Sequence, residues 1–403
     1  MNNIINFNKG DNGVDKTRNK KINKKKLVII ISICVLLLIV AIIMVIYYAS
    51  KDARKFLDQY LFRKNVTQEK LESLELDYDS NISIFAYNKY ICILAENKLR
   101  EYSTSGNLEN EIDLEINNPV YSVNDNYLAI SEANGSKLYL ISGNRILWSN
   151  DIDGNISRIN VNNNGYVSII LTGTTHKSVI VTFDRDGNEL FKNYLASTMA
   201  IDTSISNNNQ YLAFAEVNTS GTAIQSSVRI VSIEKAKNGD PDFTVYNYSA
   251  NSNKLITGIE YSGNDKVICM YDDEIDVINN SSNNTLINLS EQGKNINFAD
   301  INLENYVYRA IEESEGLFNT NTVIEMKSTN SDKTVVYTIE GVAKDIHCYK
   351  DVIAVNLGQE VDFVNTSGWL LKSYSSTQEV QDITIGNGIA GIIYKDRVEL
   401  LDL

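Results

Sequence analysis

The stretch VTFDRDGNELFKNYL (181–195) decides how this chain folds. Two apolar runs flank a polar centre at residues 184–188, which is the pattern of two strands joined by a tight turn. Asp184 and Asp186 also have the spacing of the first two ligands in a calcium-binding loop. Such a loop needs a bidentate Glu at its twelfth position, where this chain has Leu195. The stretch therefore predicts a hairpin turn, with a calcium site as the alternative.

The same pattern of strand, Gly turn and strand recurs along the chain. It is found again in EYSTSGNLENEIDL (101–114), LYLISGNRILWSNDI (138–152) and DFVNTSGWLLKSYS (362–375), with looser copies that turn near Gly239, Asn283 and Ser331. The four clear turns contain Gly106, Gly143, Gly187 and Gly368. Only the Gly is common to all four, because a turn position with a positive φ favours Gly. This supports a structural turn over an ion site.

Each repeat also carries two earlier strands, so a unit of four strands returns roughly every 40–50 residues, the period of a propeller blade. We predict an all-β fold, a β-propeller of eight four-stranded blades. Seven blades is the alternative if the fourth and fifth are wrongly divided. The chain ends on three strands that lack a fourth, and LESLELDY (71–78) is a strand without a unit. We expect this N-terminal strand to close the ring, because an open ring would leave unpaired strand edges.

An uncharged stretch, LVIIISICVLLLIVAIIMVIYY (27–48), precedes the repeats. A helix needs about 20 apolar residues to cross a membrane, and the apolar run of a signal peptide is shorter. We therefore predict one transmembrane helix over 27–48. A lipoprotein-type cleavage before Cys34 is the alternative, but Ile33 is too bulky for the position before such a cysteine. The basic residues of the tail (1–26) predict that the N-terminus stays in the cytoplasm.

The remaining organisation follows from helical spacing and charge. Residues 49–70 have apolar side chains at the spacing of one helix face and predict a juxtamembrane stalk helix. Packing of this face on the propeller is an equal alternative, and packing on a partner helix is a third. Residues 71–403 then form an extracytoplasmic propeller. The tail carries a net charge of +6, so residues 49–403 carry −20 of the total of −14. A domain this acidic argues against nucleic acid as a partner.

The cysteines provide a check on the blade count. Cys92, Cys269 and Cys348 fall in the predicted blades 1, 5 and 7, which lie too far apart for the Cα separation that a disulfide allows. We expect free thiols at these three positions. Free thiols outside the membrane, together with many Asn, Ile and Lys residues and only two prolines, are typical of proteins from AT-rich anaerobic bacteria.

The element LISGNRILW (140–148) resembles the repeat of quinoprotein-type propellers, in which an aliphatic residue and a Trp follow a turn Gly. Eight blades and closure by a terminal strand also resemble this WD40-like superfold, which includes outer-membrane assembly scaffolds. The layout of basic tail, span and acidic propeller resembles an uncharacterised family of membrane-anchored propellers in Gram-positive anaerobes. The repeat Trp is present only as Trp148. Phe191 stands at the next copy, and Trp369 does not align.

Few residues are suited to catalysis. Quinone binding in the resembled superfamily needs a Trp floor, calcium and an Asp, and no such motif is present, so we expect no cofactor. His176 lies in a polar loop, and His347 cannot pair with its neighbour Cys348 because adjacent strand residues face opposite ways. We expect no metal site and no catalytic residues among these.

Two acidic clusters remain as candidate surface carboxylates. Asp272 and Asp273 lie in YDDEID (271–276), and Glu312 and Glu313 lie in AIEESEG (310–316). A glycosidase needs two carboxylates about 5–10 Å apart across a cleft. Solvated charges at turns are the simpler interpretation.

These observations predict a non-enzymatic interaction or scaffold module, anchored in the cell membrane by a single pass. It would bind a protein or a cell-envelope polysaccharide through its loops or its central funnel. A glycan hydrolase or lyase that uses the carboxylates of blades 5 and 6 is one alternative, and a ligand sensor is another. The fold alone does not decide among them.

Overall fold

The computed structural model describes residues 71–76, 82–251, 253–279, 282–315 and 319–403, together with eight residues between 32 and 44. The chain divides into two compact units, residues 1–62 and 63–403. The predicted tail and stalk helix lie outside the described residues. Of the predicted transmembrane helix, the described residues are 32, 35, 37–39, 41, 42 and 44, all of them helical. The described residues include no helix that is long and apolar enough to span a membrane.

The described residues of the second unit form 32 strands in eight four-stranded sheets. The first strand, β1 (Glu72–Glu75), belongs to the last blade. Blades 1 and 2 comprise β2 (Ser83–Tyr87), β3 (Tyr90–Ala95), β4 (Lys98–Tyr102), β5 (Leu108–Asp113), β6 (Pro119–Asn124), β7 (Tyr127–Glu132), β8 (Lys137–Ser142) and β9 (Arg145–Asp151). Blades 3 and 4 comprise β10 (Asn155–Val161), β11 (Val167–Thr172), β12 (Ser178–Phe183), β13 (Glu189–Leu195), β14 (Met199–Ile205), β15 (Tyr211–Asn218), β16 (Gln225–Ser232) and β17 (Thr244–Ser249).

The second half of the ring repeats the arrangement. Blades 5 and 6 comprise β18 (Ile256–Ser262), β19 (Lys266–Tyr271), β20 (Glu274–Asn279), β21 (Ser282–Asn288), β22 (Asn295–Leu303), β23 (Tyr306–Glu315), β24 (Asn319–Ser328) and β25 (Thr334–Glu340). Blades 7 and 8 comprise β26 (Asp345–Tyr349), β27 (Val352–Asn356), β28 (Glu360–Asn365), β29 (Leu370–Ser375), β30 (Asp382–Gly386), β31 (Ile389–Ile393) and β32 (Arg397–Asp402), with β1 as the outermost strand of blade 8.

The ring closes as predicted. Strand β1 pairs antiparallel with β32, with Glu72 opposite Leu400, and Leu76 N donates to Asp396 O at 2.9 Å just beyond the strand. The N-terminal strand therefore supplies the fourth strand of blade 8 and removes the open edge. The prediction of eight blades is confirmed, and the alternative of seven is wrong.

We label the strands of each blade A to D from the channel outward. Because neighbouring strands are antiparallel, the A–B and C–D turns lie on one face of the ring and the B–C turns on the other. We call these the A–B face and the B–C face. The first strands of successive blades contact one another around the channel.

One predicted turn is wrong in detail. In blade 4 the connection near Gly239 contains a short helix, α1 (Ile233–Lys237), whose N-cap is Ser232. Ser232 Oγ accepts a hydrogen bond from Lys235 N, and Ile233 is buried between this helix and blade 3. The sequence shows no amphipathic repeat here because a single turn of helix is too short to display one.

The stretch 181–195 is a hairpin between strands C and D of blade 3. Asp184 Oδ1 accepts hydrogen bonds from Asp186 N at 3.0 Å and Asn188 N at 2.9 Å. In blade 7 the amide oxygen of Asn365 makes the same two bonds within its own turn. An amide replaces the carboxylate without any change of role, so Asp184 caps a turn, as predicted.

The glycine of this turn lies in the seam between two blades. Gly187 has a φ of 83°, and a Cβ added there would lie 2.8 Å from the indole of Trp148 in blade 2. Trp148 Nε1 donates to Arg185 O at 3.0 Å, so the indole is fixed on the turn. The Trp148 indole of blade 2 therefore packs against the turn of blade 3 at a position, Gly187, that has no room for a side chain.

The described cysteines agree with the blade count. Cys92, Cys269 and Cys348 lie in β3, β19 and β26 of blades 1, 5 and 7, and all three are free thiols. Cys92 and Cys269 are buried, and Cys348 is half-buried. Burial raises the pKa of each thiol, which keeps these side chains protonated.

Candidate functional site

An acidic residue recurs on the innermost strands of five consecutive blades. Asp202, Asp345 and Asp382 occupy equivalent places in blades 4, 7 and 8. Blades 5 and 6 have Gly258 and Phe298 at this place, and their acids, Glu260 and Asp300, follow two residues later. We call Asp202, Glu260, Asp300, Asp345 and Asp382 the channel belt. In blades 4, 7 and 8 the Asp carboxylate accepts a hydrogen bond from the N–H of the next residue.

The belt holds negative charge that cations only partly offset. Burial, the nearby Asp202 and then Asp300 raise the pKa of Glu260 to about 8. Burial also raises the pKa of Asp202, although Arg158 lies 3.7 Å away, and that of Asp300. Desolvation and like charges both favour the neutral carboxyl. A cation in the channel would offset this repulsion and favour the charged carboxylates, and a hydrogen-bond acceptor would bind their protonated form.

His347 lies between two members of the belt. Its Nε2 is 2.9 Å from Asp345 Oδ2 in its own strand and 2.9 Å from Asp382 Oδ1 in the next blade. The hydrogen bond to Asp382, together with Asp345, raises the pKa of His347, whereas the histidine helps to lower that of Asp382. The three groups form a compact polar bridge between blades 7 and 8.

The opposite side of the channel is different. Blades 1 and 2 place aromatic side chains on their innermost strands, where the rings of Phe85 and Tyr121 stack at 4.3 Å. Arg158 of blade 3 stands between the two halves and donates to Ile201 O at 3.3 Å. The channel is therefore acidic along blades 4–8, whereas on the opposite side the exposed aromatic ring is Tyr121 of blade 2, packed on the buried Phe85.

The channel widens at the A–B face into a funnel of about 480 Å³. We define the funnel by the A–B turns of blades 2 to 7, which contribute Asp125, Asn163, Asn207, Gly263, Glu304, Asn305 and Lys350. Glu260 and Asn302 line its wall. Its volume falls within the range of about 300–1,000 Å³ that is typical of ligand pockets. Six asparagines are among the residues that line the funnel, and their amides can both donate and accept hydrogen bonds.

One ion pair crosses the mouth of the funnel. Lys350 Nζ of blade 7 lies 2.8 Å from Asp125 Oδ1 of blade 2, although blades 8 and 1 separate these two blades in the ring. The hydrogen bond to Asp125 raises the pKa of Lys350. Both residues have positive φ, 52° for Lys350 and 47° for Asp125, which is uncommon for residues other than Gly and Asn. The mouth is therefore narrowed on the side of blades 8 and 1.

The predicted surface carboxylates lie elsewhere, on the B–C face of blades 5 and 6. Asp272 accepts a hydrogen bond from Leu255 N at 3.0 Å, and Asp273 lies 3.6 Å from Lys254 Nζ. Glu312 accepts bonds from the amides of two neighbouring Asn side chains, and Glu313 is exposed.

Within the described ranges, no hydrogen bond or ion pair joins the pair in blade 5 to the pair in blade 6. Asp272, Asp273 and Glu312 are each held by contacts within their own blade. The role of these four carboxylates as a glycosidase site stays a prediction.

Sequence reasoning missed the channel belt, although a signal was present. The segments AIDTSIS (200–206), FADINLE (298–304), AKDIHCY (343–349) and VQDITIG (380–386) share an Asp followed by Ile or Thr. Once the blades are aligned, this Asp falls at the same place on strand A in blades 4, 7 and 8 and two residues later in blade 6. Sequence reasoning considered only Cys348 as a partner of His347, whereas its two partners in the structure lie two residues away and in the following blade.

Comparisons with known proteins place the chain in a family. The model of the family of unknown function DUF5711 matches residues 62–403. The chain belongs to this family. No curated protein sequence matches it closely enough to count as a relative.

Several solved structures are similar to the chain. BamB from Moraxella catarrhalis is 11% identical, with 84% of this chain and 97% of that one covered and a TM-score of 0.47. Sqt1 from Chaetomium thermophilum, solved with the N-terminus of a ribosomal protein, is 12% identical, with 83% and 100% covered and a TM-score of 0.49. Hydrazine synthase from Kuenenia stuttgartiensis is 8% identical, with 84% and 99% covered and a TM-score of 0.42.

Proposed function

We propose that this DUF5711 protein is a non-enzymatic binding module on the outer face of a bacterial cell membrane. The apolar stretch 27–48 would anchor it, with the basic tail in the cytoplasm. The propeller would hold a polypeptide partner in the funnel on its A–B face. The funnel supports this proposal most directly, because turns from six blades converge on one polar cavity.

The charge of the funnel indicates which partner fits. Glu304 is exposed at the mouth, and Glu260 and the rest of the channel belt lie at and beyond the funnel wall. Lys350 is the basic residue among the funnel-lining residues, and it is paired with Asp125. A segment that carries Lys or Arg would gain attraction from this field and hydrogen bonds from the amides of the mouth.

Partner capture in the native cells tests the proposal. The tagged full-length protein is crosslinked in its own cells, and the captured proteins are identified by mass spectrometry. We compare the wild type with Glu304→Lys, which reverses one charge at the funnel mouth. We expect the yield of the main partner to fall at least tenfold, because a like charge at a binding site opposes a basic segment.

The matched control is Glu340→Lys. Glu340 is an exposed carboxylate at the end of the outermost strand of the same blade, so the charge change is identical and its place is not. Capture by this variant should equal that of the wild type. Equal loss in both variants, or no loss in either, would contradict a partner site in the funnel. Capture of glycan alone would replace the polypeptide partner with a polysaccharide.

A further inference from the structure

Asp345, His347 and Asp382 bring three metal-binding atoms together where blades 7 and 8 meet at the channel. We propose that these side chains bind one divalent transition-metal ion, and that Zn²⁺ fits them best. The proposal does not rest on the polypeptide partner. The funnel lies at the A–B face, whereas Asp345 and Asp382 are the first residues of their strands, at the end nearer the B–C face.

The spacing of the three atoms is close to that of a metal site. His347 Nε2 lies 2.9 Å from one oxygen of each carboxylate, and all three atoms are within 4.8 Å of one another. Zn–N and Zn–O bonds are about 2.0–2.2 Å long, so ligand atoms of a tetrahedral site lie about 3.3–3.5 Å apart. Each of the two distances from His347 Nε2 would have to lengthen by only about 0.5 Å, which small side-chain rotations supply.

The ligand types favour zinc over calcium or magnesium. Imidazole suits zinc and its neighbours in the transition series, whereas calcium and magnesium prefer oxygen ligands alone. Two carboxylates and a neutral imidazole together carry a charge of −2, which one divalent ion neutralises. A proton on His347 would leave the same three groups with a charge of −1. The acidic belt alongside adds to the attraction for a cation.

The backbone already orients both carboxylates. Ile346 N donates to Asp345 Oδ1 at 2.8 Å, and Ile383 N donates to Asp382 Oδ1 at 2.7 Å. Hydrogen bonds of this kind fix ligands around bound metal ions and strengthen binding. Asp345 keeps its other oxygen directed at His347. The ligands are therefore held by two different blades before any ion binds.

The cluster is open to the channel. The side chains of His347, Asp345 and Asp382 are 38%, 40% and 52% exposed. Three protein ligands leave at least one coordination position for water or an incoming ligand, as in zinc sites that exchange ligands and unlike closed structural sites. A bound ion would place a positive charge in a channel that is otherwise acidic, where it can accept an anionic group.

Calorimetric titration of the full-length chain with Zn²⁺ tests the site. The protein is purified in detergent with a tag that contains no histidine, and metals are removed with a chelator and dialysis. We expect one Zn²⁺ per chain. His347→Gln and the isosteric Asp382→Asn should each weaken binding more than tenfold, because each removes a ligand.

The second histidine of the chain supplies the control. His176 lies in the B–C loop of blade 3, where its ring packs against Tyr194, and His176→Gln should bind Zn²⁺ like the wild type. With only two histidines in the chain, imidazole-labelled NMR should show one shifted ring signal on adding Zn²⁺, and that signal should persist in His176→Gln. Far-UV circular dichroism without metal verifies that each variant is folded.

The outcomes are distinct. One Zn²⁺ bound, lost in the two ligand variants and kept in the control, supports the site. No stoichiometric binding, or equal binding by wild type and His347→Gln, overturns it. Binding that is lost only in Cys348→Ser would show that a thiol holds the ion, which also overturns it. A failed partner capture in cells leaves this titration unaffected, so the two proposals fail separately.

Discussion

The channel and the outer surface of the propeller hold their carboxylates in opposite environments. In the channel, burial and neighbouring acids raise the pKa of Glu260 to about 8, and burial raises that of Asp202. At the surface, hydrogen bonds to Lys98 and Arg100 lower the pKa of Glu111. Lys344 does the same for Glu379 in blade 7. Glu111 and Glu379 are thus paired with cations, whereas Glu260 lies beside another acid, Asp202.

This difference separates the residues that build the ring from those available for binding. A paired surface carboxylate contributes little to stability and offers little to a ligand. An incompletely compensated carboxylate in a channel costs stability, and perturbed groups of this kind cluster at functional sites. In the channel this cost falls on the innermost strands of blades 4, 5 and 6, where Asp202, Glu260 and Asp300 have raised pKa values.

The contrast between channel and surface depends on a rigid ring. A substitution that disrupts the packing between two blades should therefore have the largest effect on the free energy of unfolding. We expect Gly187→Ala to lower the free energy of unfolding by roughly 3 kcal/mol, because a positive φ disfavours Ala and its Cβ would press on the Trp148 indole. Urea unfolding measures the change. Gly143→Ala is the matched control, since Gly143 also has a positive φ but nothing lies within 4 Å of an added Cβ.

The control should lose only about 1 kcal/mol, the conformational part of the cost. If the two glycines lost the same free energy, packing of Trp148 on the turn would contribute nothing to the seam. The prediction thus measures what packing between blades contributes to stability, independently of the carboxylates in the channel.

The second prediction sharpens the comparison within one blade. Glu101 and Glu111 lie on adjacent strands of blade 1. Burial raises the pKa of Glu101 to about 7, and Asn110 is the hydrogen-bond partner of this carboxylate. We expect Glu101→Gln to gain about 2–3 kcal/mol in unfolding free energy relative to the wild type between pH 5 and pH 9.

The sign of this change in stability follows because the fold favours the protonated form of Glu101. The stability that Glu101 contributes is full below the unfolded pKa of about 4.5 and is lost as the pH rises through about 7. Gln does not ionise, so the variant keeps this stability. Glu111 has the opposite shift, so the wild-type residue stabilises the fold above its unfolded pKa, and Glu111→Gln should lose stability at neutral pH. The same sign in both variants would contradict the contrast.

A smaller effect is expected at the channel wall. Glu260 has a pKa of about 8, with Asp202, Asp300 and the hydroxyl of Ser204 as its neighbours. Glu260→Gln should raise the unfolding free energy above pH 8 by about 1–2 kcal/mol, less than the full shift implies because the side chain borders solvent. Urea unfolding at pH 5 and pH 9 measures it, with Glu304→Gln at the exposed mouth as the unchanged control. If Glu260→Gln showed no pH-dependent gain in stability, the belt would carry no electrostatic strain at this position.

The fold could be predicted from the sequence because its signals are local and repeated. Turn glycines such as Gly106 and Gly368 mark four of the blades, and the unpaired strand at 71–78 predicts the closure. The helix at 233–237 was missed because one turn carries no period. The channel belt was missed for a different reason: Asp202 and Asp300 look like ordinary polar positions until the blades are superimposed.

The site beside His347 could not be predicted either, because it depends on a contact between blades. Asp345 is two residues from His347, but Asp382 is in the next blade, and only the ring brings it to 2.9 Å. The seam at Gly187 is similar, since the glycine was predicted for its φ and the structure adds Trp148 as a second reason. Contacts across blades are decided by the register of neighbouring sheets, which the local pattern does not contain.

Site-specific photocrosslinking tests the central claim, that the funnel is the binding surface, most directly. A photoreactive amino acid replaces Asn163 at the funnel mouth of blade 3 or, as the control, Asp186 at the rim of the same blade and the same face, both exposed. The full-length protein is then irradiated in its own cells. We predict a covalent partner adduct from position 163 and none from position 186. An adduct from position 186 alone, or equal adducts from both, would contradict binding through the funnel.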